Sequence, residues 1–178
     1  MDHRAFFDEL KKGNIASCYV FEGPEEYIKR SAMDALRKKL LPEGMEEMNE
    51  SRLRDPDANT IIAAAETLPF LADKRLVVVQ ESGMLQGKAK DYDEAKNAQA
   101  LTEYLKDIPD TTCLVFYVRD KADGRKKLYQ ALKKTAVMVQ FNTLDEREMT
   151  RWIAQQFKRL DKKIAAPTCQ KLVFTCGS

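Results

Sequence analysis

The chain is short of the residues that carry most enzyme chemistry. In 178 residues it has one histidine, four cysteines, one tryptophan, seven glycines and six prolines. The lone His3 leaves little room for acid–base or triad catalysis, because nothing places it beside a nucleophile and its N-terminal stretch is expected to fray. The cysteines, Cys18, Cys113, Cys169 and Cys176, form no C-x-x-C pair. Zinc at the usual spacings is therefore not expected, and the thiols read as reduced and structural. So few glycines and prolines exclude collagen-like and low-complexity chains. The charge of one sign that marks a dedicated nucleic-acid-binding domain is also missing: 30 Lys+Arg face 28 Asp+Glu, a formal net charge of +2. No segment approaches the roughly 20 apolar residues that span a bilayer. Met1 to Phe7 lacks the apolar stretch of a signal peptide, so a cytoplasmic location without a membrane partner is expected.

What is present is globular. Hydrophobic residues make up 44% and charged residues 33%. That balance excludes disorder, and the length suffices for an apolar core without disulfides or metal.

Two periodicities alternate along the chain. Asp2 to Lys12 has Phe6, Phe7 and Leu10 at helical spacing, with Gly13-Asn14 as a stop. Ala16 to Phe21 is a short apolar run suited to a strand buried on both faces. Glu25 to Leu41 predicts a helix with Ile28, Ala32, Leu36 and Leu40 inward and Lys29, Arg30, Arg37 and Lys38 solvated. Met48 to Leu53 predicts a polar edge strand that includes Asn49. Asp55-Pro56 predicts a helix start, with Asp55 as N-cap, running through Ile61, Ile62 and Ala65 to Thr67.

Arg75 to Gln80 and Thr112 to Val118 are the strongest strand signals. Between them, Glu81 to Asn97 reads as a surface loop before a helix containing Leu101, Leu105 and Ile108. A short helix around Leu128, Tyr129 and Leu132 and a strand over Ala136 to Phe141 follow. Thr143-x-x-Glu146 has the capping-box pattern and opens a helix with Met149, Trp152, Ile153, Phe157 and Leu160. A last helix runs from Ala166-Pro167-Thr168 through Val173 to about Gly177. The alternation predicts an α/β domain with a mainly parallel five-stranded sheet between helices over residues 1–142. Residues 143–178 read as the first helices of a second, helical domain, and the chain as a fragment of a longer protein.

In a parallel α/β protein the first strand–turn–helix is where phosphate binds. Here the turn is Phe21-Glu22-Gly23-Pro24-Glu25-Glu26-Tyr27-Ile28-Lys29-Arg30. A P-loop needs G-x-x-x-x-G-K-[ST]. Gly23 supplies its first glycine and Lys29 stands at the lysine, but Ile28 replaces the second glycine and Arg30 the hydroxyl residue. Pro24 has no N–H, and Glu25 and Glu26 add negative charge. The position of a P-loop is kept without its chemistry, and no nucleotide or other cofactor is expected.

The acidic pairs Glu25-Glu26, Glu46-Glu47 and Asp91-x-Asp93-Glu94 read as solvated acids, with no metal site. The basic clusters Lys11-Lys12, Arg37-Lys38-Lys39 and Arg125-Lys126-Lys127 have acids nearby and read as solvated faces. Thr67-Leu68-Pro69-Phe70-Leu71-Ala72-Asp73-Lys74-Arg75 differs, since it puts large apolar side chains into a proline-broken connection, where loops are normally polar. Two readings stay open: the side chains fold back over the end of the core, or they project as a wedge for a partner's pocket.

Tyr19-Val20-Phe21-Glu22-Gly23 with Glu26-Tyr27, Ala63-Ala64-Ala65-Glu66-Thr67-Leu68-Pro69-Phe70, and Lys74-Arg75-Leu76-Val77-Val78-Val79 together resemble the delta subunit of the bacterial DNA polymerase III clamp loader. Glu66 to Val79 is the most specific piece, and the resemblance covers essentially the whole chain. It implies a three-layer, P-loop/AAA+-like domain with a degenerate nucleotide site, then the start of a lid-like helical middle domain. It implies binding of the ring-shaped sliding clamp (the beta subunit) and opening of the ring for loading onto primed DNA, with no ATP hydrolysis or other intrinsic activity. By position the clamp-binding residues are Leu68, Pro69, Phe70 and Leu71, and some family members carry Leu in place of Pro69. The implied further partners are the gamma/tau and delta prime subunits, mainly through regions C-terminal to this chain, and DNA only within the assembled loader. The fragment itself is expected to be a monomer. The other readings are a P-loop-fold nucleotide-dependent enzyme with a divergent site and a structural scaffold domain.

Overall fold

The computed structural model describes residues 1–87 and 92–176, the last by its backbone alone. Asp91, the Cys176 thiol and the helix stop at Gly177 lie outside what is described. The chain divides into two compact units, Met1–Phe141 and Asn142–Ser178.

The first unit runs α1 (His3–Lys12), β1 (Cys18–Glu22), α2 (Glu26–Leu40), α3 (Glu46–Asn49), β2 (Glu50–Arg54), α4 (Ala58–Glu66), β3 (Arg75–Gln80), α5 (Glu94–Tyr104), β4 (Thr112–Tyr117), α6 (Lys127–Thr135) and β5 (Val137–Gln140). The strands form one sheet, all neighbours parallel, in the order β2-β3-β4-β1-β5. The expected α/β class with a parallel five-stranded sheet is observed. Strands β1, β3 and β4 are apolar apart from polar residues at their ends and buried almost throughout, because both sheet faces are covered. On one face Val20, Val77, Val79, Leu114 and Phe116 pack with Ile61 of α4, Leu101 of α5 and Leu128 and Leu132 of α6. On the other, Phe6 of α1 meets Tyr19 and Phe21 edge-on, at ring distances of 5.6 and 5.1 Å. Each such side chain contributes about 1.5–3 kcal/mol by leaving water.

Local chemistry moves several boundaries. Asp57, not Asp55, caps α4: its carboxylate accepts from the Thr60 N–H at 2.8 Å. Asp55 instead sits at φ 42 and accepts from the Gly83 N–H and the Tyr92 hydroxyl, tying the β2 end to the connection after β3. That connection is not wholly a surface loop, because Ser82, Met84 and Leu85 are buried in it. Helix α5 stops at Tyr104, so Leu105 caps it and Ile108 lies beyond. The polar edge strand begins only at Glu50, and Met48 and Asn49 belong to the helical turn α3.

Lys126 of the basic cluster is not freely solvated, since its ammonium donates to the Gly83 carbonyl and to Glu94 at 2.6 and 2.7 Å. The N-terminus, expected to fray, is tied to the sheet: the Met1 ammonium donates to the Met138 carbonyl at 2.7 Å, and Asp2 bridges to Gln140 of β5.

The second unit holds α7 (Glu146–Arg159) and α8 (Ala166–Cys176). The capping box is Asp145 with Glu148, two residues after the expected pair. A carboxylate outperforms the Thr143 hydroxyl at the positive end of a helix, because its hydrogen bond is charge-assisted. Cys169 and Val173 of α8 are buried, whereas no residue of α7 is. Among the described residues no helix is long and apolar enough to cross a membrane.

Candidate functional site

The connection from α4 to β3 leaves the core. Proline at 69 prevents a helical Leu68, so α4 ends at Glu66 with extended backbone at Thr67. Leu68, Phe70 and Leu71 are 76%, 50% and 72% exposed, and Pro69 is half-buried. Of the two open readings, folding back over the core does not describe these three side chains.

The backbone of this loop is nonetheless held at its start and at its middle. At its start, the Arg75 guanidinium donates to the Thr67 carbonyl at 3.2 Å and to the Ser51 hydroxyl at 2.8 Å. Burial pushes the pKa of Arg75 below its ordinary value. In the middle, Asn49 accepts from the Phe70 N–H at 2.6 Å and donates to the Phe70 carbonyl at 2.9 Å. Leu71 then takes φ 49, a left-handed conformation that costs a non-glycine residue about 1–2 kcal/mol. Apolar side chains thus project from a fixed backbone. Asn49 gave no sequence signal beyond the general preference of asparagine for turns.

The turn after β1 shows what became of the phosphate loop. Gly23 lies at φ 128, and a Cβ there would stand 2.2 Å from the Phe141 carbonyl oxygen. The Gly23 N–H donates to the Asp120 carbonyl, the Glu25 N–H donates to the Phe141 carbonyl, and Pro24 has no N–H. Two N–H groups of the turn are thus committed to the chain just beyond β4 and β5. Ile28 is buried and Arg30 is exposed, paired with Glu26 at 3.1 Å.

Lys29, expected to be solvated, is fully buried. A fully apolar surround would make that costly, but its ammonium donates to the carbonyls of Gly23, Val118 and Arg119 at 2.7, 2.9 and 2.7 Å. Glu26 approaches at 3.2 Å, and the Tyr117 ring lies 5.0 Å away. Burial raises the Glu26 pKa, but hydrogen bonds from Tyr117, Lys29 and Arg30 outweigh it and hold the carboxyl below the usual range. Burial, and then the Glu26 carboxylate, push the Tyr117 phenol up.

A neighbouring groove of about 400 Å³ is lined by Glu26, Arg30, Arg37, Glu50, Arg52 and Tyr117 among others. Its charges pair with one another, Arg37 to Glu50 at 2.7 Å and Arg52 to Glu50 at 2.8 Å. Among the described residues no three His, Cys, Asp or Glu side chains converge as a metal site. Cys18, Cys113 and Cys169 are free and buried, and burial pushes the Cys113 thiol up to about 12.

Comparison with known proteins bears on which of these features matters. The family model described as DNA polymerase III, delta subunit, matches residues 19–142. The DNA polymerase III subunit delta of Bacillus subtilis is 31% identical over 167 residues, covering 92% of this chain and 48% of that protein. The solved structure of the Bacillus subtilis DNA clamp loader delta protein superposes with a TM-score of 0.78 at 29% identity, covering 96% of this chain and 51% of the other. A Thermotoga maritima DNA polymerase III gamma subunit-related protein shares the fold at 15% identity, with a TM-score of 0.52 and coverage of 96% and 57%. The chain therefore spans about half the length of the delta proteins it matches. An α/β sheet in this order, with the family match running from β1 to the end of β5, makes this chain a member of the DNA polymerase III delta subunit family.

Proposed function

We propose that this chain is the clamp-engaging part of a clamp-loader delta subunit. It binds the ring-shaped sliding clamp through Leu68, Pro69, Phe70 and Leu71 and favours an opened ring interface, without hydrolysing ATP. The observation that carries the reading is the exposure of three large apolar side chains on a backbone anchored by Arg75 and Asn49. Such a plug suits a pre-formed apolar pocket, where a few residues supply most of the binding free energy. Ring opening follows only if the open or strained clamp is bound more tightly than the closed one.

The committed donors at Gly23 and Glu25 and the buried Lys29 support a subunit that leaves nucleotide chemistry to others. The gamma/tau and delta prime subunits are the proposed loader partners, with DNA engaged only in the assembly, and residues 143–178 open the helical middle domain. The test is binding to the cognate sliding clamp by wild type, Phe70→Ala and Leu71→Ala. Loss of about tenfold or more in affinity with an unchanged melting temperature supports the wedge. Equal affinity in folded variants rejects it.

A further inference from the structure

We infer that Asn49 is the positioning residue of the apolar loop, setting the direction in which Phe70 projects; the inference rests on the clamp-binding reading above.

Asn49 is fully buried, unusual for a short polar side chain at the end of a four-residue helical turn. Burial of an amide is tolerable only when its donors and acceptor are used. Here Oδ1 accepts from the Phe70 N–H at 2.6 Å, and Nδ2 donates to the Phe70 carbonyl at 2.9 Å and to the Met45 carbonyl at 3.0 Å. The side-chain amide therefore engages both polar groups of one residue, 21 positions away in sequence, as a paired strand would.

Phe70 is half-exposed, so packing alone does not fix it. Its peptide groups do, and the left-handed Leu71 turns the chain immediately afterwards. Aspartate lacks the donor, serine lacks the reach and alanine lacks both, so the arrangement is specific to a side-chain amide. A loop already ordered before association loses less conformational freedom on binding, which strengthens the complex without adding a contact to the partner. The residue acts through Phe70 and needs no contact of its own with the clamp.

The test uses this chain and the cognate clamp, with Asn49→Ala, Asn49→Leu, Phe70→Ala and the double variant Asn49→Leu/Phe70→Ala. Leucine fills a similar space without the hydrogen bonds, which keeps the test usable if alanine unfolds the chain. Hydrogen exchange at the Phe70 amide reads loop order independently of the clamp, with the Val77 amide of β3 as internal reference. The expected result is about tenfold weaker binding for Asn49→Leu. Faster exchange at Phe70 with Val77 unchanged, and no further loss on adding Asn49→Leu to Phe70→Ala, complete it. Wild-type affinity in Asn49→Leu, while Phe70→Ala loses binding, overturns the role of Asn49 and leaves the wedge standing. Unchanged exchange at Phe70 in Asn49→Leu also overturns it. Wild-type affinity in Phe70→Ala overturns the clamp-binding reading itself.

Discussion

The ammonium of Lys29 donates to the carbonyl oxygen of Gly23 at 2.7 Å, so the lysine and the glycine of a would-be phosphate loop bind each other. Two further carbonyls, Val118 and Arg119, also accept from it, and Glu26 lies 3.2 Å away. The cation at this position serves the fold, joining the turn after β1 to the chain that leaves β4.

Lys29→Met tests that role. The stem is kept and the charge removed, leaving three carbonyls without their donor. An unsatisfied buried group costs about 1–3 kcal/mol, and a loss of about 3 kcal/mol is expected in urea unfolding. A variant as stable as wild type would show that water or relaxation replaces the ammonium.

Nucleotide should not stabilise the chain. The Gly23 and Glu25 N–H groups already donate to Asp120 and Phe141, and Glu25 and Glu26 flank the turn. Magnesium ATP at a hundredfold excess over its dissociation constant would add about 2.7 kcal/mol to a protein that binds it. The expectation is an unchanged melting temperature at millimolar magnesium ATP. A reproducible rise would revive the divergent-enzyme reading.

Gly23→Ala should be severely destabilising. The added Cβ would meet the backbone of Phe141, with the carbonyl oxygen at 2.2 Å and the carbonyl carbon at 2.5 Å, where no side chain can swing aside. The positive φ of 128 adds strain of its own. The expected outcome is poor soluble yield or a loss above about 4 kcal/mol by denaturant titration. Ordinary stability would mean that the β1–α2 turn and Phe141 move apart readily.

Acid should weaken the chain partly through Glu50. Burial raises its pKa, but hydrogen bonds from Arg37 and Arg52 outweigh burial and lower it from the ordinary 4.5. A folded-state value below the unfolded one means the stabilisation is present above the unfolded value and disappears as pH falls through the folded one. The stability difference between wild type and Glu50→Gln should therefore be largest above about pH 5 and shrink below the ordinary glutamate value. A difference independent of pH down to the acid transition would assign the effect to packing instead.

The elements were legible where side-chain pattern and backbone agree. The run Arg75–Gln80 is rich in valine and Thr112–Tyr117 in apolar and aromatic residues, and both are interior strands of the sheet. The break at Pro69 and the apolar content of the loop after it were also readable, because proline restricts its neighbour regardless of context. The damaged phosphate motif could be read residue by residue from Gly23 to Arg30.

Caps were less legible, since short polar side chains compete. Asp55 and Asp57 both suit an N-cap, as do Thr143 and Asp145, and only the path of the chain chose between them. The sequence alone determined the class of the sheet and the damage to the phosphate loop, since both follow from residue type and spacing along one strand–turn–helix. Tertiary structure alone decided that Lys29 is buried and that Asn49 holds Phe70. Both depend on carbonyls far away in the chain, 89 and 90 residues for Lys29 and 21 for Asn49. A local pattern reports which face of a helix or strand a residue occupies; it carries no information about which distant peptide group folding will bring within 3 Å of it.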